Sequence, residues 1–299
     1  MPKMKALSLL QSGTVDRVLG WQKGDFCWDV TPAVFTSPED INEGFVWNSF
    51  CGANLSKYLI AESRKPGKIA VFLKPCDSYS LMQLLKEHRV NRKSIYIVGV
   101  QCPGMWDAEA MGQPAEQPEE GILLEKCRCC KSKKLVLYDE LIGEQGEEQP
   151  SDRFAQVHQL ERMTPEERFA FWQGELSRCI RCNACRNVCP ACSCEKCVFD
   201  NPASGAQNKA AATSFEESMF HIIRAFHVAS RCTDCGECSR VCPQHIPLHL
   251  LNRKIISDIN ELYGDYQAGA DPESRPPLMD FRKEDCEPSA VYRRGGAAR

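Results

Sequence analysis

Two hydrophobic periodicities divide the chain. In its first half, short unbroken apolar runs alternate with stretches where apolar residues recur every three or four positions. Val15 to Trp21 and Pro32 to Thr36 read as short strands. Ser37-Pro38-Glu39-Asp40 has the N-cap, first-turn proline and acidic first turn that open a helix, and Leu55 to Ser63 reads as an amphipathic helix. The clearest unit follows: Lys68 to Leu73 as a buried strand, Ser78 to His88 as a helix, and Ser94 to Val100 as a second buried strand. That order predicts two parallel strands joined by a right-handed crossover, with ligands at their carboxyl ends. Both ends carry a cysteine, Cys76 after Lys74-Pro75 and Cys102 before Pro103-Gly104.

The pattern then breaks. GEQGEEQPSDR, residues 143 to 153, is polar, rich in Glu and punctuated by Gly and Pro, so a linker is expected across 146–163. Thr164 with Glu167 forms a capping box opening a helix that runs up to Cys179. Ser214 begins another helix, reaching about Ala229, with Phe215, Met219, Ile222, Ile223 and Phe226 on a core-facing side. Leu248 to Tyr263 has helical apolar spacing and Gly264 as its stop. The remaining residues, 266–299, rich in Pro, Arg and Gly, read as an extended tail ordered by a partner, if at all. The expected fold is an α/β domain over 1–145 with a small, partly parallel sheet. It is followed over 164–265 by a second, α+β and largely helical domain.

Composition narrows the chemistry. Of 299 residues, 43% are hydrophobic and 26% charged, and the net charge is -3 with both signs interleaved, which excludes the basic face of a nucleic-acid binder. No apolar run approaches the roughly 18 residues of a membrane helix, and the first residues lack the apolar core of a secretory signal, so a cytoplasmic protein without membrane insertion is expected. The 19 cysteines then demand an explanation. An odd number in a reducing compartment argues for metal or redox chemistry rather than disulfides.

Residues 179 to 190 read CIRCNACRNVCP and residues 232 to 243 read CTDCGECSRVCP. Two copies of C-x2-C-x2-C-x3-C-P are the signature of a bacterial-type 2[4Fe-4S] ferredoxin domain, expected here over 164–265, in which the fourth cysteine of each run serves the other cluster. One cluster is therefore assigned to Cys179, Cys182, Cys185 and Cys242, the other to Cys232, Cys235, Cys238 and Cys189. Zinc could use a pair of C-x2-C steps, but it does not account for the third cysteine and the proline in both copies. His221, His227, His245 and His249 lie near these cysteines in sequence and, with eight thiolates available, are read as non-ligands.

Seven further cysteines are candidates. Cys76 and Cys102, at adjacent strand ends, can converge with the Cys127/Cys130 pair on a third [4Fe-4S] cluster, with zinc or plain core cysteines as alternatives; Cys129 lies beside this set. Cys192, Cys194 and Cys197 could form part of another metal site, without an evident fourth ligand, or act as small buried hydrophobes. Cys27, Cys51 and Cys286 stand alone and are read as structural.

Taken together, Lys74-Pro75-Cys76-Asp77, Ile97-Val98-Gly99-Val100-Gln101-Cys102, the Cys127/Cys130 pair, and the run Cys189-Pro190-Ala191-Cys192-Ser193-Cys194-Glu195-Lys196-Cys197 resemble the beta subunit of methanogen-type formate dehydrogenases and deazaflavin-reducing hydrogenases. The resemblance covers 65–130 and 164–262. It implies an iron-sulfur subunit relaying single electrons between a catalytic metal subunit and a flavoprotein in an anaerobic oxidoreductase complex, itself without catalytic residues. Only 48 residues separate Cys130 from Cys179, where that family has a long portion completing a flavin site. With no G-x-G-x-x-G run or P-loop, a shortened relative without its own FAD is expected. The rivals are a flavin-bearing subunit exchanging hydride with a nicotinamide or deazaflavin coenzyme, and a zinc-bearing scaffold.

Overall fold

A computed structural model of the chain describes residues 1–114, 116–147, 152–201 and 214–279. The side chain of Phe215, Cys286 and the expected tail beyond residue 279 lie outside the described residues. Helix α1 (Pro2–Gln11) precedes β1 (Arg17–Lys23) and β2 (Val30–Phe35), after which α2 (Pro38–Gly44) is capped by Ser37 as expected, its side chain accepting from Asp40 N–H. Next come α3 (Leu59–Glu62), β3 (Ile69–Leu73), α4 (Pro75–Lys86), β4 (Ile95–Val100), α5 (Glu125–Arg128) and β5 (Glu140–Ile142). The strands form one mixed sheet in the order β2-β1-β3-β4-β5, in which β2 is antiparallel and the rest run parallel.

Alternation along β3 explains why its apolar run is unbroken. Ile69, Val71 and Leu73 face one side with Leu81 and Leu84 of α4, while Ala70 and Phe72 face the other with Ala6, Leu7 and Leu9 of α1 and Ile41 of α2. A parallel strand covered on both faces must be apolar at every position. Helix α1 was not legible in the sequence. Its apolar residues do not mark one clean face, since Met4 is exposed while Ala6, Leu7 and Leu9 are buried, and Pro2 at its first turn is the one boundary signal.

Beyond the sheet lie α6 (Ala155–Glu161), α7 (Pro165–Ser177), α8 (Ala184–Asn187), α9 (Ser214–His227), α10 (Glu237–Arg240) and α11 (Leu248–Tyr263). The Thr164–Glu167 capping box closes in both directions. Helix α6 lies within the stretch expected as linker; its Val157 and Leu160 pack with Leu250 of α11. On α9, Met219, Ile222 and Phe226 are solvent-exposed, against the expectation that they face the core, whereas Phe220 and Ala225 are buried. After α11, Tyr266 Oη donates to Ser230 O, and the chain then returns to the first half, where Lys86 Nζ donates to Ser274 O at 2.6 Å. Among the described residues, no helix is long and apolar enough to cross a membrane.

Candidate cluster-binding sites

The two cysteine repeats fold alike. The second and fourth residues after the first cysteine adopt left-handed backbone in both copies, Arg181 and Asn183 in one (φ 54° and 60°), Asp234 and Gly236 in the other (φ 53° and 70°). A four-residue helix follows each time, α8 or α10, carrying the third cysteine. Left-handed residues among right-handed ones turn successive amide N–H groups into a concavity that favours anions. Arg181 N–H already points at the Cys179 Sγ, 3.4 Å away, and the Asn252 amide donates to the Cys238 Sγ at 3.7 Å.

The thiols gather in two adjoining groups. Cys179, Cys185 and Cys242 border one apolar cluster with Leu176, Ile246 and Leu248, which Cys238 also reaches, and Cys182 and Cys242 act electrostatically on Cys185. Cys189 packs with Cys232 beside Val228, and its charge is felt at Cys232, Cys235 and Cys238. The last cysteine of the first repeat thus lies among the first three of the second, and Cys242 among those of the first. Burial pushes the Cys238 thiol up to about 11 and raises Cys232 and Cys235 as well. Buried thiols of this kind give up their proton when a metal takes its place.

Arg224 of α9 lies at the junction. It is 2% exposed, donates to Cys185 O at 3.0 Å and leaves its Nε without a partner. No carboxylate pairs with it among the described residues; its charged neighbours are Cys189, Cys238, Cys185 and Cys192. An isolated buried guanidinium is costly. Anionic thiolate-bound clusters on either side are the counter-charge this arrangement fits.

A second convergence occurs at the carboxyl ends of β3 and β4. One cavity is lined by Cys76, Cys102, Cys127 and Cys130, brought together from a helix start, a strand end and the turn around α5. It is also bordered by Asp234 and Cys235 of the second repeat. Met105 N–H donates to the Cys127 Sγ at 3.3 Å. Lys74 opens α4 and is 1% exposed; its ammonium meets Asp77 at 2.9 Å, donates to Ala53 O at 2.9 Å and lies over the Trp21 ring. Together these contacts fix the helix start that presents Cys76. Cys129 lies outside this cavity, its thiol engaged by Arg253.

Buried ion pairs hold the two halves of the molecule together. Glu237 of α10 binds Lys126 of α5 at 2.5 Å and Arg240 at 2.8 Å, and Arg231 forms a fork with Glu87 at the end of α4. Burial alone would raise the Glu237 carboxyl, but the Lys126 and Arg240 charges outweigh it and hold the group well below the usual carboxylate range. Lys57 donates to the carbonyls of both Cys189 and Cys192. The cysteine spacing carries no hint of Lys126, Glu87 or Lys57, which come from more than 100 residues away.

Cys192, Cys194 and Cys197 line another cavity, with Arg186, Arg224, Arg231, Lys57 and His227. Of the other histidines, His249 binds Ser239 Oγ at 2.8 Å and His245 faces Glu109 at the surface. Cys27 donates to Pro114 O, and Cys51 is buried and accepts from Asn48 N–H. Every described cysteine is a free thiol. No three His, Cys, Asp or Glu side chains among the described residues are placed to hold a single metal ion.

The paired repeats define an iron-sulfur protein: the family model for a 4Fe-4S dicluster domain matches residues 175–246. Beyond that domain, the chain is a homologue of F420-dependent formate dehydrogenase beta subunits. It is 23% identical to the F420-dependent formate dehydrogenase subunit beta of Methanocaldococcus jannaschii, covering 92% of each chain, and 23% identical to the formate dehydrogenase 1 subunit beta of Methanococcus maripaludis, covering 90% of each. The first alignment runs over 356 positions, more than the 299 residues of this chain, so these relatives carry segments that it lacks. The F420-reducing [NiFe] hydrogenase complex of Methanosarcina barkeri is a structural neighbour over 37% of this chain and 39% of that one, at 17% identity and a TM-score of 0.30.

Proposed function

We propose that this chain is the electron-relay subunit of a cytoplasmic oxidoreductase complex related to F420-dependent formate dehydrogenases and hydrogenases, passing single electrons between a catalytic metal subunit and a flavin-containing partner. The observation that carries this reading is the shared border of two cysteine sites. The cavity holding Cys76, Cys102, Cys127 and Cys130 is also lined by Cys235, a thiol of the second repeat. Three clusters would then stand in contact: one on Cys179, Cys182, Cys185 and Cys242, one on Cys232, Cys235, Cys238 and Cys189, and a third at the strand ends. A [4Fe-4S] cluster supplies reversible one-electron storage, at a potential set by net charge, burial and hydrogen bonds to sulfur.

The protein's own residues govern that potential. The Arg181 and Met105 amides and the Asn252 side chain direct donors at ligand sulfurs. Arg224 between the repeats supplies positive charge that favours the reduced form, whereas Lys74 and Lys126 beside the strand-end cavity are neutralised by Asp77 and Glu237. Anaerobically purified protein should contain roughly eight irons from the repeats and about four more from the strand-end site, with little zinc, and show reduced-cluster EPR signals. Replacing Cys76 and Cys102 by Ser should remove about four irons and leave the repeat clusters intact. A preparation dominated by zinc would overturn the relay in favour of a scaffold.

A specific observation favours a second reading, in which this chain also holds a flavin. A cavity of about 480 Å3 beside the carboxyl end of β1 is lined by Trp21, Trp28, Phe50, Tyr58 and Trp106, and the indole N–H groups of Trp21 and Trp28 have no partner. Flat aromatic walls with unused donors suit a planar heterocycle. The cavity reaches Glu237 and Arg240 of α10, next to the second repeat. Stoichiometric flavin absorbance after gentle purification, lost in a Trp106→Ala variant, would establish this reading; a flavin-free chain that takes up none on reconstitution would dismiss it.

A further inference from the structure

The C-x-C-x2-C run after the first repeat is absorbed by none of the three sites above. Its thiols nevertheless line one cavity of about 330 Å3, together with the imidazole-bearing His227 at the end of α9. We propose that Cys192, Cys194, Cys197 and His227 hold a further iron-sulfur cluster, placed at the edge of the second repeat.

Charge supports an anionic occupant. Lys57, Arg186, Arg224 and Arg231 all line the cavity, against one lining carboxylate, Asp200. Asp200 is taken up by Arg186 at 2.7 Å, and Arg231 by Glu87 from outside the lining. Lys57 and Arg224 have no carboxylate partner among the described residues. Arg224 also faces the repeat thiols, but Lys57 has only carbonyls for partners among the described residues, and a half-buried cation beside three thiols is favoured when those thiols are ionised, as they are when they ligate iron. Plain packing would place the cysteines among apolar side chains. Instead Cys194 is solvent-exposed and Cys197 is hydrogen-bonded by Arg186.

The donor set points to a cluster rather than to one ion. With Asp200 engaged by Arg186, three sulfurs and one ring nitrogen remain as soft ligands, a combination used by both zinc and iron-sulfur centres. All four border one cavity, and Lys57 on its wall also holds the Cys189 carbonyl of the adjoining iron-sulfur repeat, so a cubane there continues that chemistry. Position gives the site a use. Cys192 N–H donates to Cys189 O at 3.1 Å, and Lys57 ties the carbonyls of both residues together. An electron on the second-repeat cluster could therefore pass outward through Cys189 to this site, one electron lost there for each gained here, toward a partner docked near the exposed Cys194.

This inference extends the relay proposed above, and its test is separable from it. Full-length chain with Cys194→Ser and Cys197→Ser, purified anaerobically beside the parent protein, is analysed for iron, sulfide and zinc and by EPR after dithionite reduction. The expected result is a loss of about four irons and of one cluster signal, with the repeat signals unchanged, which also reports an intact fold. Unchanged iron, or loss of one zinc instead, would overturn the site while leaving the relay reading untouched. A His227→Ala variant should yield a three-iron signal in the oxidised protein. An unaltered spectrum would strike the histidine from the ligand set.

Discussion

Substituting Glu237 by Gln tests whether the two halves are joined through buried charge. Glu237 is 1% exposed, and its oxygens meet Lys126 Nζ at 2.5 Å and Arg240 at 2.8 and 2.9 Å. Lys126 has only 6% of its side chain exposed, so removing the carboxylate charge strands an ammonium whose one other hydrogen-bond partner among the described residues is Gly52 O. Arg240, at 26%, can recover water. Breaking a buried pair by removing one partner costs about 3–5 kcal/mol. At roughly 2–4 °C per kcal/mol for a domain-sized unit, the melting temperature should fall by about 6–20 °C. Anaerobic thermal melts followed by circular dichroism, with cluster absorbance recorded in parallel, measure this directly. The double variant Glu237→Leu/Lys126→Met, which removes both charges and keeps apolar volume, should recover most of the loss. An E237Q protein that melts within about 1 °C of the parent, or a double variant worse than the single one, would refute the argument.

Four further outcomes follow from the same structure. The Glu237 carboxyl titrates below the usual range in the folded chain, so its contribution is complete above about pH 4.5 and declines as pH falls toward the lower folded value; acid melts of the E237Q variant should therefore be flatter than those of the parent. Gly236→Ala should destabilise the second repeat by about 1–3 kcal/mol, because φ is 70° there and a Cβ would come within 2.5 Å of the Lys126 Cβ; faster cluster bleaching in urea checks it. At the matching position of the first repeat, Asn183→Gly should bleach no faster than the parent, since Asn183 already adopts left-handed backbone. Leu81→Ala, at a fully buried position between α4 and the sheet, should cost about 2–5 kcal/mol in chemical denaturation and loosen the helix that presents Cys76.

Local chemistry was legible from the residues themselves. Ligand spacing within each repeat is a property of a dozen consecutive residues, and the left-handed turns at Arg181, Asn183, Asp234 and Gly236 repeat because the same loop must close on the same number of thiols. The strand, helix, strand rule likewise placed Cys76 and Cys102 together, since parallel pairing of β3 with β4 leaves both carboxyl ends on one edge. Amphipathic periodicity was less decisive. On α9 it marked an apolar side, but Met219, Ile222 and Phe226 face solvent, because a periodic pattern says that a face is apolar and not whether another element covers it.

Tertiary structure alone decided the charge pairing and the neighbourhoods. Nothing near Glu237 in sequence announces Lys126, 111 positions away, nor does the run after Cys189 announce Lys57 or His227. Spacing encodes interactions that a short chain segment makes with itself. Long-range ion pairs depend on how the sheet and the repeats are apposed, and that apposition sets which thiols share a cavity, which cations are left without carboxylates, and where an electron could go next.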